Sequence, residues 1–374
     1  MASRKRNPHH LFADRRVLIT GGTGSLGQVL LRRLLTGQAG LPAKVVVFSR
    51  DEEKQHHLRV AYRGGDSSAS DAAYRNAEGR LEFRIGDVRD FASVSAALRG
   101  IDIVFNAAAL KQVPTCEYCP QEAILTNLAG PENIIRAIRD LRLPVETVVG
   151  ISTDKAVKPV NVMGMTKALQ ERLLATASLQ VPDTRFVIVR YGNVLVSRGS
   201  VIPLFNDQIR SGGPVTITHP EMTRFMLGLE QAVDTIVDAV RQARRSETYV
   251  PRIRSARIVD IAAALIDGRP IKTTVSGIRP GEKLHEILIS EDECRRTIIR
   301  GGYYVIGPML PELGDTRAGE PGLDREFSSA DHLMTLDEVR RMMIAADLIV
   351  NSRQEGRRGK SVGRISLTES DGRR

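Results

Sequence analysis

The stretch RRVLITGGTGSLG, residues 15–27, decides the fold of this chain. Its first half is short, aliphatic and partly β-branched, which is typical of a buried strand, and the pattern that follows predicts a helix. Glycines between the two allow a tight turn, a close backbone approach to a pyrophosphate and tight helix–sheet packing. We predict a dinucleotide at the helix N-terminus. The contacts predicted in this turn are Gly21, Thr23, Gly24, Ser25, Leu26 and Gly27.

Strands and helices alternate along the chain as far as about residue 195. Short apolar segments predict strands at 15–20, 44–49, 81–86, 101–106, 145–152 and 185–190. Helical patterns separate them at 24–36, 51–63, 120–140 and 161–177. Because strand–helix–strand units of this kind are right-handed, we predict an α/β fold with a Rossmann-type doubly wound parallel sheet.

The alternation becomes irregular in the last part of the chain, which predicts a second unit. We expect a basic N-terminal tail at 1–14 and an NAD(P)-binding Rossmann domain at 15–195. A smaller α/β substrate lobe is predicted at 196–348, and the sequence leaves open whether its pieces interleave with the first domain. A second basic tail, predicted to be disordered, covers 349–374.

Composition and charge limit the classes of function. The net charge is +10, but most of it lies in the two predicted tails, which favours solvated ends over a nucleic-acid surface. Aromatic residues make up 4% of the chain and tryptophan is absent, which argues against base stacking. No apolar run reaches the roughly 18 residues of a membrane span, and no signal peptide is predicted. We expect a cytoplasmic protein without nucleic-acid or membrane partners.

The three cysteines do not predict a disulfide framework or a metal site. An odd number of cysteines in a cytoplasmic chain argues against structural disulfides. Cys116 and Cys119 have the spacing of half a zinc site, but the sequence contains no second pair of ligands at a suitable spacing. We predict no metal.

The end of the second predicted strand bears on the choice of cofactor. Ser49, Arg50 and Lys54 form a cluster that suits the 2′-phosphate of NADP, whereas Asp51 leaves NAD open. We predict a tightly bound, recycled NADP. Further contacts with the cofactor are predicted at strand ends, at Asp87, Val88, Ala107, Ala108 and Ala109.

The stretch STDKAVKPVNVMGMTK, residues 152–167, has the layout of a short-chain dehydrogenase active site. In that layout a hydroxyl residue is followed about ten residues later by a tyrosine and then by a lysine one helical turn further on. Here the tyrosine position holds Met163, whose thioether cannot carry a proton. The chemistry of this site must therefore proceed without a phenol, unless the site is inactive.

The chain resembles the nucleotide-sugar 4,6-dehydratases of the extended short-chain dehydrogenase/reductase superfamily. Within them it is most similar to the UDP-N-acetylglucosamine 4,6-dehydratases of the CapD-like polysaccharide-biosynthesis type. The resemblance covers residues 17 to about 294. It is carried by GGTGSLG, VVFSRDEEKQ, NAAALKQVPTCEYCPQEAILTN, STDKAVKPVNVMGMTK, RYGNVLVSRGSVIPLF, EMTRFMLGLEQAV and RPGEKLHEILISEDE.

The resemblance implies a lyase that oxidises C4 of the sugar, eliminates water across C5 and C6, and returns the hydride to C6. By this analogy Lys155 is the base at C5, and Asp154 is the acid at the C6 oxygen. Thr153 bonds the C4 oxygen, and Lys167 binds the nicotinamide ribose. Some members of the family carry methionine where Met163 stands. The C4 proton then leaves through Thr153 to Asp154, or through a water, and the sequence does not choose between them.

The same resemblance implies residues that contact the substrate or line the pocket of the sugar or the cofactor, with Lys111 as a contact of both. They are Lys111, Thr126, Asn127, Asn193, Ser200, Val201, Thr216, Arg224, Arg279 and Glu282. It also implies a homo-oligomer, a dimer or a multiple of one, that pairs through its long helices. The alternatives are a related nucleotide-sugar epimerase or 5,6-dehydratase, and a non-catalytic nucleotide-binding homologue.

Overall fold

The computed structural model describes residues 10–63, 72–195, 200–314 and 322–349. Sixteen strands lie within these ranges. They are β1 (Arg16–Thr20), β2 (Lys44–Ser49), β3 (Leu81–Ile85), β4 (Ile103–Asn106), β5 (Thr147–Thr153), β6 (Arg185–Tyr191), β7 (Asn193–Val194), β8 (Val215–Ile217), β9 (Thr223–Leu227), β10 (Thr248–Pro251), β11 (Ser255–Arg257), β12 (Thr273–Val275), β13 (Ile287–Ile289), β14 (Thr297–Arg300), β15 (Tyr303–Ile306) and β16 (Phe327–Ser328).

The α-helices alternate with the strands in the first half of the chain and become less regular afterwards. They are α1 (Ser25–Thr36), α2 (Glu52–Arg63), α3 (Ala72–Ala77), α4 (Phe91–Ala97), α5 (Val113–Tyr118), α6 (Pro120–Ile124), α7 (Gly130–Asp140), α8 (Val162–Gln180), α9 (Val201–Arg210), α10 (Leu229–Gln242), α11 (Ile258–Ile266), α12 (Glu291–Cys294) and α13 (Leu336–Ala345).

The central sheet has nine strands in the order β14-β15-β10-β6-β5-β4-β1-β2-β3. The strands from β6 to β3 are parallel, in the order expected of a doubly wound sheet. This confirms the predicted α/β fold. Strand β10 also lies parallel to β6, whereas β15 and β14 are antiparallel additions at that edge. Segments from the last third of the chain thus extend the parallel sheet that the first half of the chain forms.

Each face of the sheet is covered by helices, so its strands are apolar on both sides. Val17 and Ile19 of β1 pack on the face covered by α1, where Leu30 is fully buried. Leu18 between them points to the opposite face and joins a cluster with Ile134 of α7. This alternation is the reason why the strand reads as a continuous aliphatic run.

The helix predicted at 120–140 is divided in the structure. Helix α6 is followed by a π-helical segment, Leu125–Ala129, which leads into α7. Pro131 lies in the first turn of α7 and has no N–H to donate to the preceding turn. A wider turn at this point avoids the missing bond, and such π segments often mark functional sites.

The smaller lobe rests on its own apolar cluster, which includes Ile202 and Phe205 of α9, Ile261 of α11 and Val339 of α13. Three small sheets, β11-β9-β7, β12-β8 and β13-β16, accompany this cluster. Strand β7 directly follows the end of β6, so the lobe begins at the carboxyl edge of the central sheet. This places it beside the glycine turn and the 152–167 stretch.

The end of the N-terminal tail predicted at 1–14 is folded into the core in the structure. Phe12 is 1% exposed and contacts Phe105 edge to face, because these aromatic rings complete the core below β4. Residues 1–9 and almost all of the predicted tail at 349–374 lie outside the described residues.

Candidate active site

A cleft of about 1040 Å³ lies between the carboxyl ends of β1, β4 and β5 and the smaller lobe. Every candidate residue named from the sequence lines it except Asn127. The carboxyl ends of parallel strands meet at one edge of a sheet, so residues far apart in sequence converge there. The volume is large enough for a dinucleotide and a second ligand.

The glycine turn fits a dinucleotide because its backbone leaves no room for side chains. Gly21 has φ of 66°, and a Cβ on it would lie 2.8 Å from the Cα of Ala108. A Cβ on Gly27 would lie 2.5 Å from the Cα of Gly22. The first turn of α1 therefore faces the cleft with its backbone, which is the arrangement that binds phosphate groups.

The residues predicted to select the cofactor gather beside this turn. The hydroxyls of Ser49 and Thr23 are 3.1 Å apart. Arg50 Nη1 lies 3.6 Å from Asp87 Oδ2, and Lys54 forms an ion pair with Asp51. The two cations are exposed by about half, so an anionic ligand can compete for them.

Thr153 ends β5, and residues Asp154–Ala156 form one 3₁₀ turn. The Thr153 hydroxyl donates to Asp154 Oδ1 at 2.9 Å, and the Lys155 ammonium donates to the same oxygen at 3.1 Å. Asp154 is 0% exposed, whereas 21% of the Lys155 side chain is exposed. Thr153 and Lys155 therefore connect a buried carboxylate to the cleft by hydrogen bonds.

A second buried carboxylate reaches the same lysine from the smaller lobe. Glu286 Oε1 lies 3.1 Å from Lys155 Nζ, and Glu286 is 2% exposed. Arg224 Nε lies 3.8 Å from Glu286 Oε1, and Lys283 Nζ lies 3.9 Å from Glu286 Oε2. Glu286 and Lys283 lie in the segment RPGEKLHEILISEDE but were not predicted as site residues, because spacing alone does not show which residues of a loop point inward.

The pKa values of the two carboxylates next to Lys155 are shifted in opposite directions. Burial raises the pKa of Asp154, and the negative charge of Glu286 adds to this effect, although Lys155 opposes it. Burial alone would raise the pKa of Glu286, but the charges of Lys155 and Arg224 lower it overall. Burial alone would lower the pKa of Lys155, but the charges of Asp154 and Glu286 raise it overall. Such divergence is typical of acid–base sites.

Met163 and Lys167 lie one turn apart on α8 and both face the cleft. Met163 is 4% exposed and packs with Cys116 and Ala123. Lys167 Nζ donates to Ile151 O at 2.5 Å, and burial lowers its pKa to about 8. The helix starts at the cleft because Asn161 caps it, accepting from Gly164 N at 2.7 Å.

The cleft residues predicted to contact the substrate differ in the interactions that they already make with other protein groups. Lys111 has no ion pair among the described residues, and burial lowers its pKa. Asn193 Oδ1 lies 3.5 Å from Lys155 Nζ. Arg224 is buried and donates to the carbonyl of Thr223 at 2.7 Å. The remaining predicted contacts in the cleft are Thr126, Ser200, Val201, Thr216, Arg279 and Glu282.

Asn127 lies beneath the cleft, which differs from its predicted place in the pocket wall. It is 0% exposed, and its amide accepts from Leu110 N at 2.8 Å and donates to Leu110 O at 2.9 Å. It also donates to Thr166 Oγ1 at 3.0 Å. Its side chain thus fixes the loop after β4 against α8, and only through that loop does it affect the pocket.

The described residues contain neither a candidate metal site nor a helix that could span a membrane. Within the four described ranges, no group of three or more His, Cys, Asp or Glu residues is arranged to hold a metal ion. None of the helices in those ranges has the length and apolar character that crossing a bilayer requires.

A family model and several known proteins match the sequence of this chain. A family model described as "Polysaccharide biosynthesis protein" matches residues 17–308. A relative from Rickettsia akari (strain Hartford), named UDP-glucose 4-epimerase, is 39% identical over 350 residues, or 91% of this chain and 98% of the relative. A relative of the same name from Rickettsia bellii (strain RML369-C) is 43% identical over the same shares.

Solved structures share the fold. Pen from Bacillus thuringiensis is similar with a TM-score of 0.81 and 33% identity, covering 90% of this chain and 99% of that one. DesIV, a dTDP-glucose 4,6-dehydratase from Streptomyces venezuelae solved with NAD and TYD, has a TM-score of 0.61 at 21% identity, over 72% of this chain and 86% of that one. The second likeness is one of fold alone.

Proposed function

Because the chain belongs to the polysaccharide biosynthesis protein family, we propose that it is an NADP-dependent nucleotide-sugar 4,6-dehydratase that acts on UDP-N-acetylglucosamine. The family and the fold are those of enzymes that modify nucleotide sugars. The observation that carries the proposal is the chain of hydrogen bonds from Thr153 through Asp154 to Lys155, at the open end of β5. An elimination needs an acid and a base on one face of the substrate, and these hydrogen-bonded residues supply both, Asp154 as the acid and Lys155 as the base.

The cleft divides between a cofactor side and a substrate side. Gly21, Gly24 and Ser49 would hold the dinucleotide, which supplies a hydride acceptor when bound. Lys167 on α8 would orient its ribose. The substrate side contains Lys111 and Arg279, whose positive charges suit a diphosphate.

Proton transfer at C4 does not need a tyrosine in this arrangement. As the C4 hydrogen leaves as hydride, the hydroxyl proton passes to Thr153 Oγ1 while Thr153 passes its own proton to Asp154 Oδ1, 2.9 Å away. The raised pKa of Asp154 makes its carboxylate a stronger acceptor. The proton that Asp154 has gained can then leave with the C6 hydroxyl as water. Asp154 thus returns to its starting state within one turnover.

Lys155 is placed to remove the C5 proton once C4 is a ketone. Among the three hydrogen-bonded residues Thr153, Asp154 and Lys155, Lys155 is the charged residue that reaches the open cleft, and 21% of its side chain is exposed. The ketone acidifies C5, and removing that proton expels the C6 hydroxyl. The hydride returns to C6, and C5 regains a proton.

A 4-epimerase is the second candidate function, and the names of the Rickettsia relatives favour it. An epimerase also oxidises C4, but it returns the hydride to C4 and loses no water. The buried acid–base chain next to Thr153 favours elimination, since epimerisation has no use for a base at C5. A 5,6-dehydratase would also lose water, but it would return the hydride to C4.

Incubation of the purified protein with UDP-N-acetylglucosamine, followed by mass spectrometry, tests the proposal. We expect a product lighter by one water, formed without added reductant. A product of unchanged mass that differs in configuration at C4 would establish the epimerase instead. A protein that binds the nucleotide sugar without converting it would establish the non-catalytic alternative.

The cofactor preference should depend on Arg50. We expect the protein to bind NADP more tightly than NAD, and Arg50→Ala to reduce that preference by about tenfold or more, since a charged hydrogen bond contributes about 1.5–3 kcal/mol. Arg63→Ala, at the exposed end of α2, is the control and should leave the preference unchanged. Competitive binding of the two dinucleotides measures the effect, and a parent protein that prefers NAD contradicts the assignment.

Met163 should be replaceable by another apolar residue. We expect Met163→Leu to keep most of the parental turnover, because the swap changes little volume and removes no proton carrier. Steady-state turnover per bound cofactor is the measurement. A loss of about a hundredfold, of the size caused by removing a general acid, would show instead that the thioether takes part in the reaction.

The long helices should pair two copies of the chain. An apolar groove of about 480 Å³ lies on the outer side of α7 and α8, with Ile124 46% and Leu169 52% exposed beside it. We expect a dimer, and Leu169→Glu should shift it towards monomer by placing a charge in the interface. Val60→Glu, at a residue that is also 52% exposed, is the matched control. Light scattering at micromolar concentration decides, and a monomeric parent contradicts the prediction.

A further inference from the structure

Lys155 lies between two carboxylates, so it must lose a proton before it can act as a base. Its ammonium lies 3.1 Å from Asp154 Oδ1 and 3.1 Å from Glu286 Oε1. An amine takes a proton only when it is neutral, and both neighbours favour the charged form. The site must therefore hold a group that accepts a proton from Lys155 before C5 is attacked.

Glu286 has the geometry of that acceptor. Its Oε1 is within proton-transfer distance of Lys155 Nζ, and within the described ranges its buried Oε2 accepts no hydrogen bond. Its backbone is fixed, since Glu286 N donates to Ser329 Oγ at 2.9 Å. Asp154 cannot serve in the same step, because by then it holds the proton that Thr153 passed to its Oδ1 during the oxidation of C4.

We propose that Glu286 takes one proton from the Lys155 ammonium, so that the freed amine can remove the C5 proton of the substrate. The proposal rests on the dehydratase function above and assigns Glu286 a role that acts through Lys155. Glu286 comes from the segment before β13 in the smaller lobe, so the base is completed only where the two parts of the chain meet.

The protons balance over one turnover. The N–H bond of Lys155 breaks, and an O–H bond forms on Glu286 Oε1, which leaves a neutral amine beside a neutral acid. The amine then takes the C5 proton and becomes an ammonium. After the hydride has reached C6, Lys155 returns a proton to C5 and recovers the one held by Glu286. No external oxidant or acid is consumed.

Binding of the substrate over Lys155 favours the first transfer. Charged groups next to Lys155 and Glu286 are Asp154, Arg224 and Lys283. In the open cleft they support the ion pair, which also lowers the pKa of Glu286. A bound substrate covers the exposed part of Lys155, and the loss of water penalises an ion pair more than a neutral acid and amine.

Glu286→Gln tests the proposal, because an amide keeps the shape of the side chain but accepts no proton. Two quantities are followed after UDP-N-acetylglucosamine is added in heavy water: absorbance of the reduced cofactor, and deuterium at C5. We expect the variant to reduce its cofactor, while C5 exchange at pH 7 falls by about 10²–10⁴-fold. Exchange should recover about tenfold per pH unit, since Lys155 then loses its proton to solvent, whereas the parent should show no such rise.

Glu286→Asp and Glu293→Gln complete the test. The aspartate keeps a carboxylate and should restore part of the exchange with the parental pH profile, even if the glutamine variant folds poorly. Glu293 is a buried carboxylate that pairs with Arg190 at 2.9 Å, so its variant controls for the loss of a buried charge and should keep the parental profile. Parental C5 exchange in Glu286→Gln at pH 7, or an equal loss at every pH, overturns the proposal. A parent that neither reduces its cofactor nor loses water refutes the dehydratase function instead.

Discussion

Lys155→Ala is expected to stop the loss of water while leaving the oxidation of C4 intact. Lys155 is the group placed to take the C5 proton, and removing a general base reduces the rate by about 10²–10⁴-fold. The Thr153–Asp154 pair, 2.9 Å apart, remains in this variant and can still accept the C4 proton. Cofactor absorbance should therefore rise on addition of substrate, while the dehydrated product falls below detection by mass spectrometry.

Lys158→Ala is the matched control for this variant. Lys158 lies three residues further on, is exposed and pairs with Glu326 at 2.6 Å, outside the cleft. Its removal should leave product formation near the parental rate. If Lys155→Ala forms the dehydrated sugar at close to the parental rate, the assignment of Lys155 is wrong.

Asp154→Asn is expected to lose both half-reactions. An amide neither accepts the C4 proton from Thr153 nor donates to the C6 hydroxyl, so we expect a loss of about 10²–10⁴-fold in cofactor reduction as well as in water loss. This pattern separates Asp154 from Lys155, whose removal should affect the second step alone. Single-turnover measurements of cofactor absorbance and product mass give the two rates.

Asp260→Asn controls for the loss of a buried carboxylate. Asp260 is 8% exposed and pairs with Arg257 at 2.8 Å in the smaller lobe. Its variant should keep both half-reactions. Normal cofactor reduction in Asp154→Asn would show that the C4 proton leaves by a route that avoids Asp154, such as a water.

The sequence predicted the fold well, and the residues predicted to contact the cofactor lie together in one cleft, because both depend on local patterns. The strand, glycine turn and helix at 15–27 follow one another without a gap, and their hydrophobic periods identify them directly. The same holds for Thr153–Lys155, since a strand end in a parallel sheet lies at the ligand edge wherever it occurs in the chain.

The partners of Lys155 could not be predicted in the same way. Glu286 follows Lys155 by more than a hundred residues, and its position depends on how the smaller lobe docks on the sheet. Glu282 and Glu286 are one helical turn apart in number, but they lie in a loop, where no period shows which side chain points inward. Arg224, predicted to contact the substrate, lines the cleft, and it also lies 3.8 Å from Glu286, because a buried carboxylate needs a cation.

The predicted position of Asn127 in the pocket wall was wrong for a related reason. Its neighbour Thr126 reaches the cleft, and in a regular α-helix the two side chains would diverge by about 100°. The sequence does not reveal the π-helical segment that contains both, so it could not show that Asn127 turns to the loop after β4.

The fate of the C4 hydrogen distinguishes a 4,6-dehydratase from an epimerase and from a 5,6-dehydratase. The substrate is UDP-N-acetylglucosamine that carries deuterium at C4, and the product is examined by NMR and mass spectrometry. For the 4,6-dehydratase we expect a product that has lost one water and carries the deuterium at C6. Deuterium that remains at C4, in an epimer of unchanged mass or in a 5,6-unsaturated sugar, would contradict it.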